Sequence, residues 1–433
     1  MKLLVVTSGL ERSTLDPVAG WVHESISRLA ERGHRVTVLC TRAADHDAPR
    51  DGSPEGSPEG SPEGSNDPPG VTVWRPSAED RAAALQGLLE LEPDVVHVAA
   101  PGPLPAECTA ALARAPLLID LLDWSALCPA GDLLARPLGE ECMQHHPSAP
   151  CGTCIGHAHV RAMEPFIALA RAGHRAVAHA SHVRDRSTFA LGRGVSLVPV
   201  GVDAARFSPE LDPPSAGAPP LSPGVAAIVS ERSRPRVVAL GSPTPARGGP
   251  RLLDLLVALH ARVPGVELVV AGTDPDNPDL MHIHLAEAKE LGIAHQLRSL
   301  PRVGHADLPA LLAACDVAVA PGLAPEPLGR AIVQALAVGL PVVAHPSATT
   351  RELLLAGEAG LLASANPLSH FADAVAKLLT DRARRAALSE RARLAALERH
   401  DIERAIVDIE ALYESLRASR RQGKGVQRRK AAA

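Results

Sequence analysis

Short apolar runs, each long enough for one buried strand and each followed by a stretch of helical character, recur along almost the whole chain. The first is Lys2 to Ser8. A Gly-bearing loop follows, then a helix expected from about Gly20 to Arg32, a stop at Gly33-His34 and a second strand from Arg35 to Cys40. Apolar runs of roughly four to eight residues suit strands buried on both faces, and parallel strands need a crossover, usually a helix. Val71–Trp74, Asp94–Val98, Leu117–Leu122 and Ala176–Ala180 continue the pattern; Arg236–Leu240, Val266–Ala271, Val317–Ala320 and Pro341–His345 restart it. The expected fold class is α/β: doubly wound parallel sheets of Rossmann type, with ligands at the carboxyl ends of the strands.

At 433 residues the chain is long enough for two such cores. Between Phe207 and Arg236 the composition turns to Pro, Ser, Gly and Ala, which marks 208–235 as a linker. That leaves an N-terminal Rossmann-like domain at 1–207 and a second at 236–400. A helix at 401–417 is expected to return to the first domain, and the basic stretch 418–433 to be a frayed, solvated tail. Tandem Gly-Ser-Pro-Glu repeats at 52–63 put a disordered surface loop at 48–70. A net charge of −5 and only 2% aromatic residues exclude a global basic footprint and a stacking platform, so no nucleic-acid partner is expected. The N-terminal apolar run is too short for a signal peptide, and no apolar stretch is long enough to span a bilayer. A cytoplasmic protein is expected, with peripheral membrane contact left open.

Four of the seven cysteines, Cys128, Cys142, Cys151 and Cys154, fall in one insert, 128–154, with the spacing C-x13-C-x8-C-x2-C. Four thiolates at these spacings are a candidate structural zinc site; free buried thiols are the competing reading, and disulfides do not suit a reducing compartment. Asp274-Pro275-Asp276 after a strand has the form of a metal-held diphosphate site, but its Pro-rich surroundings favour a plain turn.

The most informative stretch runs from Asp316 to Ala344. A strand ends in a loop carrying Glu326, Gly329 opens a helix, Gly339 closes it and Pro341 starts the next strand. A helix N-terminus at the end of a parallel strand favours phosphate, because its free amides and its dipole both attract anions. A carboxylate beside it either accepts hydrogen bonds from ligand hydroxyls or stabilises the helix by about 0.5–1 kcal/mol.

Taken with Pro93–Val98, Val198–Asp203, Gly241–Gly248 and Glu352 with Gly360-Leu361-Leu362, this stretch resembles the retaining nucleotide-sugar glycosyltransferases of family 4. Their signature is a Glu, seven residues, a second Glu, then small-x-Gly-x-Pro-Val-Val; here Glu326 and Gln334 take the two places. The resemblance implies the GT-B architecture, two Rossmann-like domains facing a central cleft, and sugar transfer with retention from a UDP- or GDP-linked donor to an unidentified acceptor, with no catalytic cofactor.

Residue by residue, it implies that Glu326 contacts the transferred sugar and that Gln334 holds the ribose without charge assistance. Arg247, at the place of a loop Lys, would neutralise the departing diphosphate, with Gly329 opening the anion-binding helix. Ser242 replaces the loop Arg and brings no charge. Arg330 either makes up part of that loss or is a solvated helix residue, the second being favoured. Asp123 is expected to line the cleft beside Leu122, which stands where the family often has His. Gly9 and Glu352 are expected on the donor side. Leu122, Ser242 and Gln334 favour an alternative, a catalytically degenerate binding or regulatory subunit. No Phe, Trp or Tyr lies between Phe207 and Phe371. The second half is therefore expected to hold its nucleotide without a stacked ring, leaving Trp21 and Trp124 as the candidates for any sugar platform.

Overall fold

A computed structural model describes residues 1–10, 17–41, 67–135, 140–142, 149–172, 175–210, 220–231, 233–241, 243–272, 279–301 and 303–431. Two parallel sheets carry the chain. The first orders its seven strands Val71–Trp74, Arg35–Cys40, Lys2–Thr7, Val95–Ala99, Leu117–Asp120, Arg175–Ala178 and Ser196–Leu197. Alternate residues of Lys2–Thr7 enter different cores: Leu3 and Val5 pack with Trp21 and Ile26, whereas Leu4 and Val6 pack with Leu85 and Phe166. Covering both faces with helices is what an apolar parallel strand requires.

The second sheet orders its six strands Leu297–Leu300, Glu267–Ala271, Arg236–Ala239, Val317–Ala320, Val342–Ala344 and Leu361–Leu362. Its order reverses between Arg236–Ala239 and Val317–Ala320, where Val237 pairs with Val317 and Ala239 with Val319. The carboxyl ends of strands at such a reversal are where open α/β sheets bind their ligands. At the opposite end, Arg236 and Glu267 sit side by side in register, and Arg236 Nε donates to Glu267 Oε2 at 2.6 Å. Burial pushes the Glu267 carboxyl up, but hydrogen bonds from Arg298 and Arg236 outweigh it and hold the carboxyl below the usual range.

Three boundaries differ from the sequence-based expectation. The first helix begins earlier, at Pro17, and runs to Glu31. The stretch expected as linker contains a helix, Pro223–Ser230, with proline in its first turn and Val225 and Ile228 buried. Its small and apolar residues pack rather than merely connect. The last helix runs from Ile402 to Ala431, so residues expected as a frayed tail continue it. Most of the repeat loop, 42–66, lies outside the described residues. Among the described residues no helix is long and apolar enough to cross a membrane.

The last helix is tied to the first domain. Glu410 lies 2.7 Å from His34 Nε2 and 2.9 Å from Arg32 Nη2, and Tyr413 Oη lies 2.7 Å from His97 Nδ1. His97 and His179 both reach Asp120, at 3.2 and 2.7 Å. Burial alone would raise the Asp120 carboxyl; the imidazoles win and hold it well below the usual carboxylate range.

Candidate functional site

Two loops meet at the switch point of the second sheet. One leaves Arg236–Ala239 and forms 3-10 turns at Pro245–Arg247 and Gly249–Arg251. The other leaves Val317–Ala320 and enters helix Arg330–Ala337. They touch backbone to backbone: a Cβ on Gly322 would stand 2.6 Å from the Ala246 carbonyl oxygen. This approach brings Arg247 Nε to 2.8 Å from Glu326 Oε1, with both side chains about a quarter exposed. Ion pairs this accessible contribute only about 0–1 kcal/mol, so a ligand can exchange either partner at little cost. Gly329, at φ 61°, turns the second loop into its helix, and a Cβ there would meet Leu353 Cδ1 at 2.3 Å. Only glycine satisfies both conditions.

The Glu326 loop is held from two sides. Thr349 Oγ1 donates to the Glu326 carbonyl, and Trp124 of the first domain donates from Nε1 to the Pro325 carbonyl at 2.7 Å. Trp124 is 1% exposed, edge-on to His182 at 5.6 Å and under the Arg186 guanidinium at 5.8 Å. Burial, with Arg186 adding to it, pushes the His182 imidazole down to about 4, so the ring is neutral at neutral pH. Trp21 is also 1% exposed, packed against His179 at 5.0 Å. Neither ring is free to be a sugar platform, contrary to expectation; both are packed in, and Trp124 also bonds across to the second domain. Trp124→Phe should lower stability by about 1–2 kcal/mol through the stranded carbonyl and loosen the Glu326 loop. Melting temperature and turnover should fall together in that variant.

A pocket open to solvent lies at the carboxyl end of strand Arg236–Ala239, and Arg247 packs against Gly241 on its rim. Leu240 and Gly241 from the first loop, Arg330 and Gln334 from the helix, His305 and first-domain Gly20 help to line it. Arg330 and Gln334 are one helical turn apart and so share a face. The His305 imidazole is the one ring among the described lining residues. Arg330 is not the solvated residue expected from sequence: it is 1% exposed, and its Nη2 donates to Glu24 of the first domain. Removing one partner from a buried pair of this kind costs about 3–5 kcal/mol.

Other expected residues are placed differently. Glu352 does not face the cavity; it accepts from the Ser181 amide at 2.8 Å and from Ser181 Oγ at 3.0 Å, capping a first-domain helix from across the cleft. Asp123 closes a local turn by accepting from the Ser125 amide at 2.9 Å. A side chain at Gly9 would meet nothing within 4 Å, so no close approach demands glycine there. Ser242 and Asp274-Pro275-Asp276 lie outside the described residues. Cys128, Cys142, Cys151 and Cys154 are unbridged, and no group of three or more His, Cys, Asp or Glu among the described residues converges as a metal site needs. Sequence reasoning missed Glu24, His305, Thr349 and the Trp124 tether. Only Glu24 carried a signal, since it shares a helix face with Gly20, four residues earlier.

Residues 227–395 match the family described as Glycosyl transferases group 1, and residues 18–119 match Glycosyltransferase Family 4. Over 220 residues the chain is 32% identical to the GDP-mannose-dependent alpha-(1-6)-phosphatidylinositol monomannoside mannosyltransferase of Mycobacterium tuberculosis, covering 48% of this chain and 53% of that protein. The chain thus spans about half the length of the curated relatives it matches. The Anabaena protein HepE, solved with UDP and glucose, shares the fold with a TM-score of 0.67 at 18% identity, over 96% of this chain and 100% of that one. Sucrose-phosphate synthase from Thermosynechococcus elongatus gives 0.66 at 16% identity, over 96% and 99%. At those identities the likeness shows the fold alone.

Proposed function

The chain belongs to the group 1, family 4 glycosyltransferases and has their two-domain GT-B fold, and from that premise we propose that it transfers a sugar with retention from a nucleoside-diphosphate donor to an acceptor hydroxyl. The observation that carries this reading is the Arg247–Glu326 pair, 2.8 Å apart at the switch point, with Arg247 against Gly241 on the rim of the pocket. Glu326 accepts hydrogen bonds from the hydroxyls of the transferred sugar. Arg247 offers a planar, permanently charged fork to the diphosphate, and the first-turn amides of helix Arg330–Ala337 point the same way. Gln334 faces the cavity where a ribose would lie.

As the bond between the anomeric carbon and the diphosphate oxygen breaks, negative charge grows on that oxygen, and fixed positive groups lower the barrier without reorganising. The acceptor oxygen forms its bond to the anomeric carbon from the same face, and its proton passes to the departing phosphate. A mannosyl or glucosyl donor is favoured: the mycobacterial relative is named as GDP-mannose-dependent, and HepE was solved with UDP and glucose. The test is to incubate the protein with GDP-mannose and, separately, UDP-glucose and to follow nucleoside diphosphate release, with the anomeric configuration of any product read by NMR. Release with retained configuration supports the reading; no release from either donor, with or without added alcohols, counts against it.

A further inference from the structure

Arg330 is among the bulkiest side chains that the fold removes from solvent, and it is charged. Its Nη2 donates to Glu24 and lies 3.3 Å from His305 Nε2, but Nε and Nη1 are buried without a hydrogen-bond partner among the described residues. Both atoms carry protons that a guanidinium does not give up, and buried donors lacking an acceptor are rare in folded proteins. The surroundings sharpen the point. Arg330 opens helix Arg330–Ala337, and its Nη1 lies against Gly20 in the second turn of helix Pro17–Glu31. The guanidinium also borders the pocket at the carboxyl end of the second sheet.

We propose that Arg330 binds a phosphate oxygen of the donor through Nε and Nη1, while Glu24 of the first domain holds Nη2, so that the donor site is complete only with the domains together. This rests on the reading of the chain as a nucleotide-sugar transferase. Glu24 is then a positioning residue: it touches the guanidinium and leaves the phosphate to Arg330.

Calorimetric titration of the full chain with UDP, GDP, the matching nucleosides and inorganic pyrophosphate tests the proposal. Arg330→Gln should weaken the preferred nucleoside diphosphate by about 10- to 100-fold, the worth of charged hydrogen bonds, and leave nucleoside binding unchanged. Arg330→Lys should fall between, and Glu24→Gln should weaken the diphosphate alone by about 5-fold. Undiminished diphosphate affinity in Arg330→Gln, or equal losses for nucleoside and diphosphate, overturns the proposal. Should Arg330→Gln fail to fold, the same contrast in Arg330→Lys and Glu24→Gln decides. Wild-type protein that binds pyrophosphate through Arg330 but no nucleoside diphosphate keeps the anion site and removes the transferase reading. Wild-type protein that binds neither removes both.

Discussion

Glu326→Ala should slow sugar transfer by about 10²- to 10³-fold, the cost of removing one preorganised polar group from a site where charge develops. The side chain has two tasks that alanine abolishes together. In the proposed reaction it accepts from the sugar hydroxyls, and in the structure it holds the Arg247 guanidinium at 2.8 Å. Its backbone is fixed independently by Thr349, and that of its neighbour Pro325 by Trp124, so the loop should keep its course when the carboxylate is gone. The loss is therefore expected in kcat, with nucleoside diphosphate affinity within about 3-fold of wild type, as for an interaction made in the transition state. Glu326→Gln keeps an acceptor without charge and should fall between. If affinity and kcat drop in parallel in both variants, Glu326 serves the loop and not the sugar.

The second large effect is one of stability. Glu267→Gln should destabilise the second domain by about 3–5 kcal/mol, because it leaves a buried cation uncompensated. Arg236 is 3% exposed; it donates to Glu267 Oε2 at 2.6 Å and to the Ile228 and Glu231 carbonyls, each at 2.6 Å. Arg298 Nε completes the cluster on Glu267 Oε1 at 2.7 Å. Since the folded carboxyl titrates below its usual value, the pair stabilises the domain above the ordinary glutamate pKa of about 4.3. That contribution fades only as the pH falls below it toward the depressed folded value. The gap between wild type and variant in urea unfolding should be constant from pH 6 to 8 and shrink under acid. Replacing both partners, Arg236→Met with Glu267→Leu, should recover most of the loss, as swaps of buried pairs for apolar residues often do. Equal unfolding midpoints for Glu267→Gln and wild type at pH 7 would show that the cluster carries no such weight.

Particular residues show what the sequence made legible. Val237, Ala239, Val317 and Val319 were readable as buried strands because a short apolar run carries its own signal, and the switch point between them follows from chain order. The placing of Glu326 and Arg247 side by side follows from the same pattern, because each sits in a loop leaving one of those strands. Arg330 was not. An arginine in a first helical turn reads as solvated, and what buries it is helix Pro17–Glu31, with Glu24 lying 306 residues away in the chain. Glu352 failed for the same reason, its partner Ser181 being 171 residues distant. Trp21 and Trp124 follow the loops that face the cleft, but the close packing that buries them depends on other segments, in the case of Trp124 on the other domain. Local pattern specifies elements and the loops between them; which polar side chains pair across a cleft is set by the docking of two separately patterned halves.

The central claim, that the cleft holds a nucleotide sugar between the Arg247–Glu326 pair and Gln334, is tested most directly by titrating the protein with GDP-mannose and UDP-glucose at millimolar concentration in a calorimeter. The account predicts saturable one-to-one binding of at least one donor, weakened by Arg247→Ala. Absence of heat from both donors, or binding indifferent to Arg247, would contradict it.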